Sequence, residues 1–492
     1  MKSYPSGKGW ALLLLISLTA FIVHGYHPGV EDAEIYVPGI KKALDPQLYP
    51  RNDVFFSSHA HLTLFPKLIA ASVRISHLPV DWALLLWHFG SLFLLLLGCW
   101  HLGRLAFRSE IARWGGVALV AALLTMPVAG TALYIMDEYL TARSLSTPAV
   151  LFMIINAVEG RFKRAILWAA ITATIHPLMV VFGLGYVVCY LWSAGAPIAK
   201  EQKSAAPAVV MGLLLPFGLF PPMTEAYRQV LDRRPYFFLL RWHWYEWVGI
   251  IAPFLLLAWY QSVARKQSLT KLAHMSSALI IFGFVFFAIG IVVTIPPRLA
   301  NLAELQPMRY LHLTYVLLLV FSGGFMAEYV FKDKNWRWAI FFLPLCGGMW
   351  DAQRELFPAS MHLELPWRGP RNEWVRAFLW VRANTPRDAL FALDPDHMEI
   401  AGEDQHGFRA IAERSRLADG VKDAGAVTMF PAAAEEWRKQ VSAQSGWENF
   451  QKADFDRLRN QYGVEWVVLQ RPAIAGLNCP YDSGELLVCR VE

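Results

Sequence analysis

Three carboxylates fall within four residues near the start of the chain, in the run Tyr26-His27-Pro28-Gly29-Val30-Glu31-Asp32-Ala33-Glu34. Clustered carboxylate oxygens are the ligands a hard divalent cation such as Mg²⁺ or Mn²⁺ takes. A single carboxylate there can also act as general base toward a hydroxyl. The same residues equally suit a helix start, where acidic side chains meet the positive end of the macrodipole. A second acidic pair, Asp137-Glu138, follows Tyr134-Ile135-Met136 and precedes Arg143. It is either a functional pair at a membrane boundary or a water-facing pair neutralised by Arg143. His176-Pro177 marks a helix break, because proline ends or kinks the helix before it. The break turns His176 toward a cavity or leaves it satisfied inside a bundle. Arg233, Arg234 and Arg241 adjoin an aromatic run of Phe237, Phe238, Trp242, Trp244, Tyr245 and Trp247. Guanidinium matches phosphate bidentately, whereas the aromatics are ordinary headgroup-level anchors. Arg309, in Gln306-Pro307-Met308-Arg309, opens an apolar run and suits either a phosphate clamp or snorkelling to the interface.

The elements between these residues are apolar. Of 492 residues, 55% are apolar and 17% charged, and the net charge is +6. Soluble domains carry about 25% charged residues. The deficit is confined to the front. Residues 353–492 hold 17 Lys/Arg and 21 Asp/Glu, against 28 and 18 in residues 1–352. This excludes a soluble enzyme, a disulfide scaffold and a disordered chain. A nucleic-acid binder concentrates positive charge on a soluble module. Here the soluble part is acidic, so nucleic acid is not a partner. The sequence contains no Walker motif, G-x-G-x-x-G, G-x-S-x-G or H-E-x-x-H.

A spanning helix needs about 20 mostly apolar residues. The candidate runs are 10–26, 82–103, 114–131, 144–158, 165–176, 178–194, 207–221, 246–262, 273–295, 311–330 and 338–352. The expected fold is therefore an α-helical polytopic membrane protein with about eleven transmembrane helices. The first run is expected to be retained, since Val23-His24-Gly25-Tyr26 offers no small-residue cleavage site. With the N-terminus in the cytoplasm, 16 of the 28 front Lys/Arg residues fall in short cytoplasmic segments, among them Arg104, Arg108, Arg161 and Lys266. That is the positive-inside bias, and it places the tail outside. Glu31, Asp32, Glu34, Asp137, Glu138 and Glu304 then share the external face. Acidic residues follow no topology rule of their own, so their gathering there points to a site. In the long external loop 27–80, residues 62–77 read as an amphipathic helix lying in the interface.

The division expected is a membrane part, 1–352, and an extracytoplasmic domain, 353–492, of small α/β or α+β type. The tail reads as a helix over 371–384, a strand over 389–393, helices near 432–443 and 453–462, and strands over 464–470 and 485–491. Arg409, Arg414 and Arg416 form a basic cluster that reads as a solvated helix face. Cys99, Cys189 and Cys346 lie in apolar runs as packing residues. Cys479 and Cys489 flank a hairpin, and an oxidising compartment allows them to pair.

Taken together, these pieces resemble the GT-C superfamily of polytopic membrane glycosyltransferases. The resemblance rests on the Tyr26–Phe56 stretch with Glu31-Asp32 and Leu48-Tyr49-Pro50, on His176-Pro177, on Gln306-Pro307-Met308-Arg309, and on Trp380-Val381-Arg382-Ala383-Asn384-Thr385-Pro386-Arg387-Asp388-Ala389. It implies transfer of a sugar from a polyprenyl-phosphate or polyprenyl-diphosphate donor, outside the cytoplasmic membrane, to an acceptor. Asp32, with Glu31 or Glu34, would be the first-loop base or metal ligand. Asp137 and Glu138 would be the second acidic motif and, with Asp32, the ligands of any Mg²⁺ or Mn²⁺. Arg309 would hold the lipid phosphate, with Arg234 and His176 as further contacts. The first motif is Glu-Asp-Ala-Glu rather than D-x-D, so which carboxylate is the base stays open. The same external charges also suit a transporter or flippase for a lipid-linked or anionic solute, or a non-catalytic membrane assembly protein. No internal repeat supports the transporter.

Overall fold

Apolar runs with no hydrogen-bonding solvent around them must satisfy their backbone internally, and the front of the chain does so as helices. The computed structural model describes residues 4–195 and 223–492. Five described helices are long and apolar enough to cross a membrane: Gly7–His24, Val80–Ala106, Trp244–Lys266, Thr270–Thr294 and Leu299–Phe331. Ala142–Val158 and Pro177–Ser193 are apolar but 17 residues each. The expectation of about eleven spans is therefore not matched by length. The run at 207–221 lies outside the described residues. The run at 114–131 is helical only to Ala122, because Pro127 and Gly130 break it. The run at 165–176 forms the helix Phe162–Ile175, and the chain breaks at His176 before Pro177 begins the next helix.

Pairing between helices defines two ends. At one end Arg104 bonds Glu159, and Arg108 Nη2 donates to the Ser268 carbonyl at 3.0 Å. At the other end Asp32 meets Arg143, with His176 and Arg309 in electrostatic reach of that arginine. Between these ends, the helices Glu110–Ala122 and Tyr310–Met326 lie backbone to backbone. A Cβ on Gly116 would stand 2.7 Å from the Val320 carbonyl, and one on Gly115 would collide with Gly323 and Ala327. Only glycine permits that approach.

Residues 25–79 form three short helices, Ala33–Leu44, Val54–His61 and Phe65–Ser76. The last is the amphipathic segment read at 62–77. Its apolar side buries Phe65 and Ile69, and the Phe65 ring meets Tyr36 edge-on at 5.4 Å.

The tail is a five-stranded sheet of Leu390–Leu393 (β1), Ser415–Arg416 (β2), Trp466–Gln470 (β3), Asn478–Asp482 (β4) and Leu486–Arg490 (β5). The strand order is β2-β1-β3-β5-β4. β1 runs parallel to β2 and β3, whereas β5 is antiparallel to β3 and β4. Side chains alternate across a strand. Phe391, Val468 and Val488 accordingly pack with Phe378 on one face, and Leu390, Val467 and Leu487 with Phe455 and Leu458 on the other. β1, β3 and β5 and the helices Glu373–Asn384, Ala434–Ala443 and Lys452–Tyr462 lie where the sequence placed them. β2 and β4 were not anticipated. Cys479 and Cys489 are joined.

One expectation is overturned here. Arg409, Arg414 and Arg416 do not form a solvated face: all three are buried, Arg409 and Arg416 completely. Arg409 spans Asp423 through two bonds of 3.0 and 2.7 Å and reaches Glu34 at 3.2 Å. A buried guanidinium is tolerated only when paired this way.

Candidate active site

The carboxylate of Asp32 is positioned by what it does not do. Asp32 stands at the N-cap of the helix Ala33–Leu44, where an aspartate side chain ordinarily accepts a backbone N–H of the first turn. Here it makes no such bond. Its Oδ2 instead lies 3.4 Å from Arg143 Nη2 and its Oδ1 3.4 Å from Lys422 Nζ. Both contacts are long, and the side chain is 31% exposed. The Asp32 amide donates to the Tyr139 hydroxyl at 3.3 Å, which ties the first loop to the second.

Asp137 is held more tightly. Its Oδ2 accepts from Arg143 Nη2 at 2.9 Å and from Thr141 Oγ1 at 3.2 Å, and it is 7% exposed. Thr141 caps the helix Ala142–Val158 through a reciprocal bond pair with Ser144. Arg143 therefore sits in a helix first turn, where the macrodipole disfavours a cation. Asp137 and Asp32 supply the compensating charge.

The remaining expected residues separate. Glu31 contacts Lys422 of the C-terminal domain. Glu34 does not join the site: it is fully buried, and its oxygens take Arg409 Nη1 at 3.2 Å and the Ala410 amide at 3.1 Å. Burial pushes its carboxyl up to about 7, against the pull of Arg409. Gly407 makes this possible, since a Cβ there would stand 2.5 Å from Glu34 Oε2. Glu138 is buried with Oε1 unpaired, and burial together with Asp137 pushes it up to about 8. Arg234 also leaves the site: its Nη2 bonds the Val421 carbonyl.

Arg309 and His176 lie in electrostatic reach of Arg143, without a hydrogen bond or ion pair to it among the described residues. Arg309 lies in electrostatic reach of Arg143, Asp32, Tyr36 and Tyr236. It is half-buried, its Nε has no partner, and it forms no ion pair among the described residues. His176 lies in electrostatic reach of Arg143, Arg309 and His59. Burial lowers His59 to about 4, so that ring is neutral at pH 7. Sequence reasoning missed Lys422, Tyr139 and Tyr36. It named Arg143 only as a partner of the second pair. No short motif marks Lys422, which arrives from 390 residues away.

Asp32, Asp137 and Glu138 do not form the expected divalent-ion ligand set. Arg143 stands between the two aspartates, and Glu138 is buried. Among the described residues no three His, Cys, Asp or Glu side chains converge as a metal requires.

The chain thus combines a bundle of apolar helices, a carboxylate–arginine cluster at one end and a sheet domain whose Lys422 reaches that cluster. No family profile matches the sequence, and no curated protein does. Among solved structures the chain is similar to the Archaeoglobus fulgidus oligosaccharyltransferase complexed with Zn and sulfate, with TM-score 0.49 and 13% identity over 94% of this chain and 67% of that one. It is similar to the same organism's AglB bound to an inhibitory peptide and a dolichol-phosphate, with TM-score 0.43 and 13% identity over 94% and 69%. It is also similar to ArnT from Cupriavidus metallidurans bound to undecaprenyl phosphate, with TM-score 0.43 and 12% identity over 99% of each chain.

Proposed function

We propose that this chain is a membrane glycosyltransferase that moves a sugar from a polyprenyl-phosphate-linked donor to an acceptor at the membrane face bearing Asp32. The observation that carries this reading is the joining of three elements at one end of the bundle. They are a partly exposed carboxylate (Asp32), a carboxylate-held arginine (Arg143) and an arginine in electrostatic reach of both that forms no ion pair among the described residues (Arg309). A lipid-linked donor keeps its tail in the bilayer and presents its phosphate at this depth. The phosphate gains charge as the glycosidic bond breaks, and in this reading Arg309, with Arg143 in electrostatic reach, meets that charge. Asp32 takes the acceptor proton.

In this reading the acidic end of the bundle faces out of the cytoplasm, with the N-terminus inside and the domain 353–492 outside, in the cytoplasmic membrane. The external setting agrees with the Cys479–Cys489 pair.

The test uses purified protein in nanodiscs, wild type beside Asp32→Asn and Asp137→Asn. Each is incubated with a panel of radiolabelled polyprenyl-phosphate sugars, with and without Mg²⁺, Mn²⁺ or chelator, and sugar release is followed. Release by the wild type that is lost in folded Asp32→Asn supports transfer. A donor that crosses a liposome bilayer uncleaved would replace this reading with a flippase.

A further inference from the structure

Glu31, Asp32 and Glu34 are each met by a cation of the C-terminal domain. Lys422 contacts Glu31 and lies 3.4 Å from Asp32 Oδ1. Its neighbour Asp423 takes both arms of Arg409, and Arg409 reaches Glu34. A Lys-Asp step in the domain is thus registered against the Glu-Asp-Ala-Glu step of the loop.

The backbone shows the same registration. The Glu31 amide donates to the Gln405 carbonyl at 3.1 Å, and the Gly407 amide to the Gly29 carbonyl at 2.8 Å. Glu31 and Gln405 both adopt left-handed backbone, at φ 54° and 57°. Such strain at non-glycine residues persists only where the surroundings over-determine the conformation.

Lys422 itself is an unfavourable choice for fold stability. It opens the helix Lys422–Met429, against the macrodipole, and its side chain is 8% exposed. Burial of an ammonium is tolerated only against paired charge. The carboxylates it pairs with are Glu31 and Asp32, which are themselves partly open, at 36% and 31%.

We propose that Lys422 is a positioning residue of the site: by bridging Glu31 and Asp32 it fixes the Asp32 carboxylate against Arg143, so that the C-terminal domain completes the transfer site. The inference rests on the glycosyl-transfer reading, and two independent readouts separate them.

The proteins compared are the full-length wild type, Lys422→Met, Lys422→Arg, Glu31→Gln and the Glu31→Gln/Lys422→Met pair, all in nanodiscs. Lys422→Met lowers kcat about 100-fold through misplacement of the carboxylate, while KM for the donor changes little. Lys422→Arg restores most of the loss. The double variant is no worse than Lys422→Met alone, because both changes remove one contact. Hydrogen exchange rises in peptides covering 26–34 and stays unchanged in β1 and β3. Unchanged kcat in folded Lys422→Met overturns the proposal. So does a loss accompanied by faster exchange throughout the sheet, which reports a structural role. Where Lys422→Met does not fold, Glu31→Gln decides by the same two readouts. A wild type inactive on every donor, with exchange at 26–34 responding as expected, overturns the transfer reading and leaves Lys422 a loop anchor only.

Discussion

Asp32 and Asp137 share one nitrogen of Arg143, at 3.4 and 2.9 Å. The shorter contact belongs to the buried carboxylate and the longer to the exposed one. Asp137 is therefore the tighter partner of the arginine, and Asp32 the looser and more open one.

Loss of Asp32 should accordingly exceed loss of Asp137. Asp32→Asn is expected to lower kcat by about 10²–10⁴-fold, the range for a general base. Asp137→Asn is expected to lower it less, by releasing Arg143. Single-turnover sugar release on folded variants ranks the two, and equal or inverted losses would reject Asp32 as the base.

Arg309 is expected to act on the leaving group. Arg309→Met should reduce kcat by about 10²–10³-fold, as for removal of one donor to a developing anion. Arg309→Lys should recover part of this, since an ammonium keeps the charge without the planar fork. A variant with unaltered kcat would move the phosphate elsewhere.

Glu34 is expected to matter for folding alone. Glu34→Gln weakens one bond to Arg409, which keeps both contacts to Asp423, so the change costs about 1–3 kcal/mol. Thermal unfolding should shift down, while turnover per folded molecule is retained. Activity lost without destabilisation would return Glu34 to the list of candidate bases.

Glu138 provides a pH test. Its carboxyl is raised from 4.5 to about 8 by burial and Asp137. The folded protein therefore binds this proton more tightly than the unfolded chain. The stability it contributes is full below pH 4.5 and lost as pH rises through 8. The melting temperature should fall between pH 5 and 8.5, and Glu138→Gln, which stays neutral, should flatten that slope. A slope identical to wild type would show that Glu138 is not the group responsible.

Much of this was legible in the residues. Helix periods and apolar runs located the bundle, and β1, β3 and β5 announced themselves as short apolar strands between turn residues. Asp32, Asp137, His176 and Arg309 stood out as candidates because charge at the edge of an apolar run is conspicuous. Glu34 could not be told from Asp32 by spacing. They are two residues apart, and only Arg409, 375 residues on, distinguishes them. The arginines at 409, 414 and 416 looked solvated because their counter-charges are equally remote. β2 is two residues long and leaves no periodicity to read.

The glycine contact between Glu110–Ala122 and Tyr310–Met326 has a reach beyond its own neighbourhood. The first helix leads into the segment bearing Asp137, and the second begins directly after Arg309. With the Gly116 backbone against the Val320 carbonyl, the two helices act as one strut, so the segments that bear Asp137 and Arg309 are tied together at a point remote from both. A single methyl group added at Gly116 would push against that carbonyl and part the two helices without touching either residue.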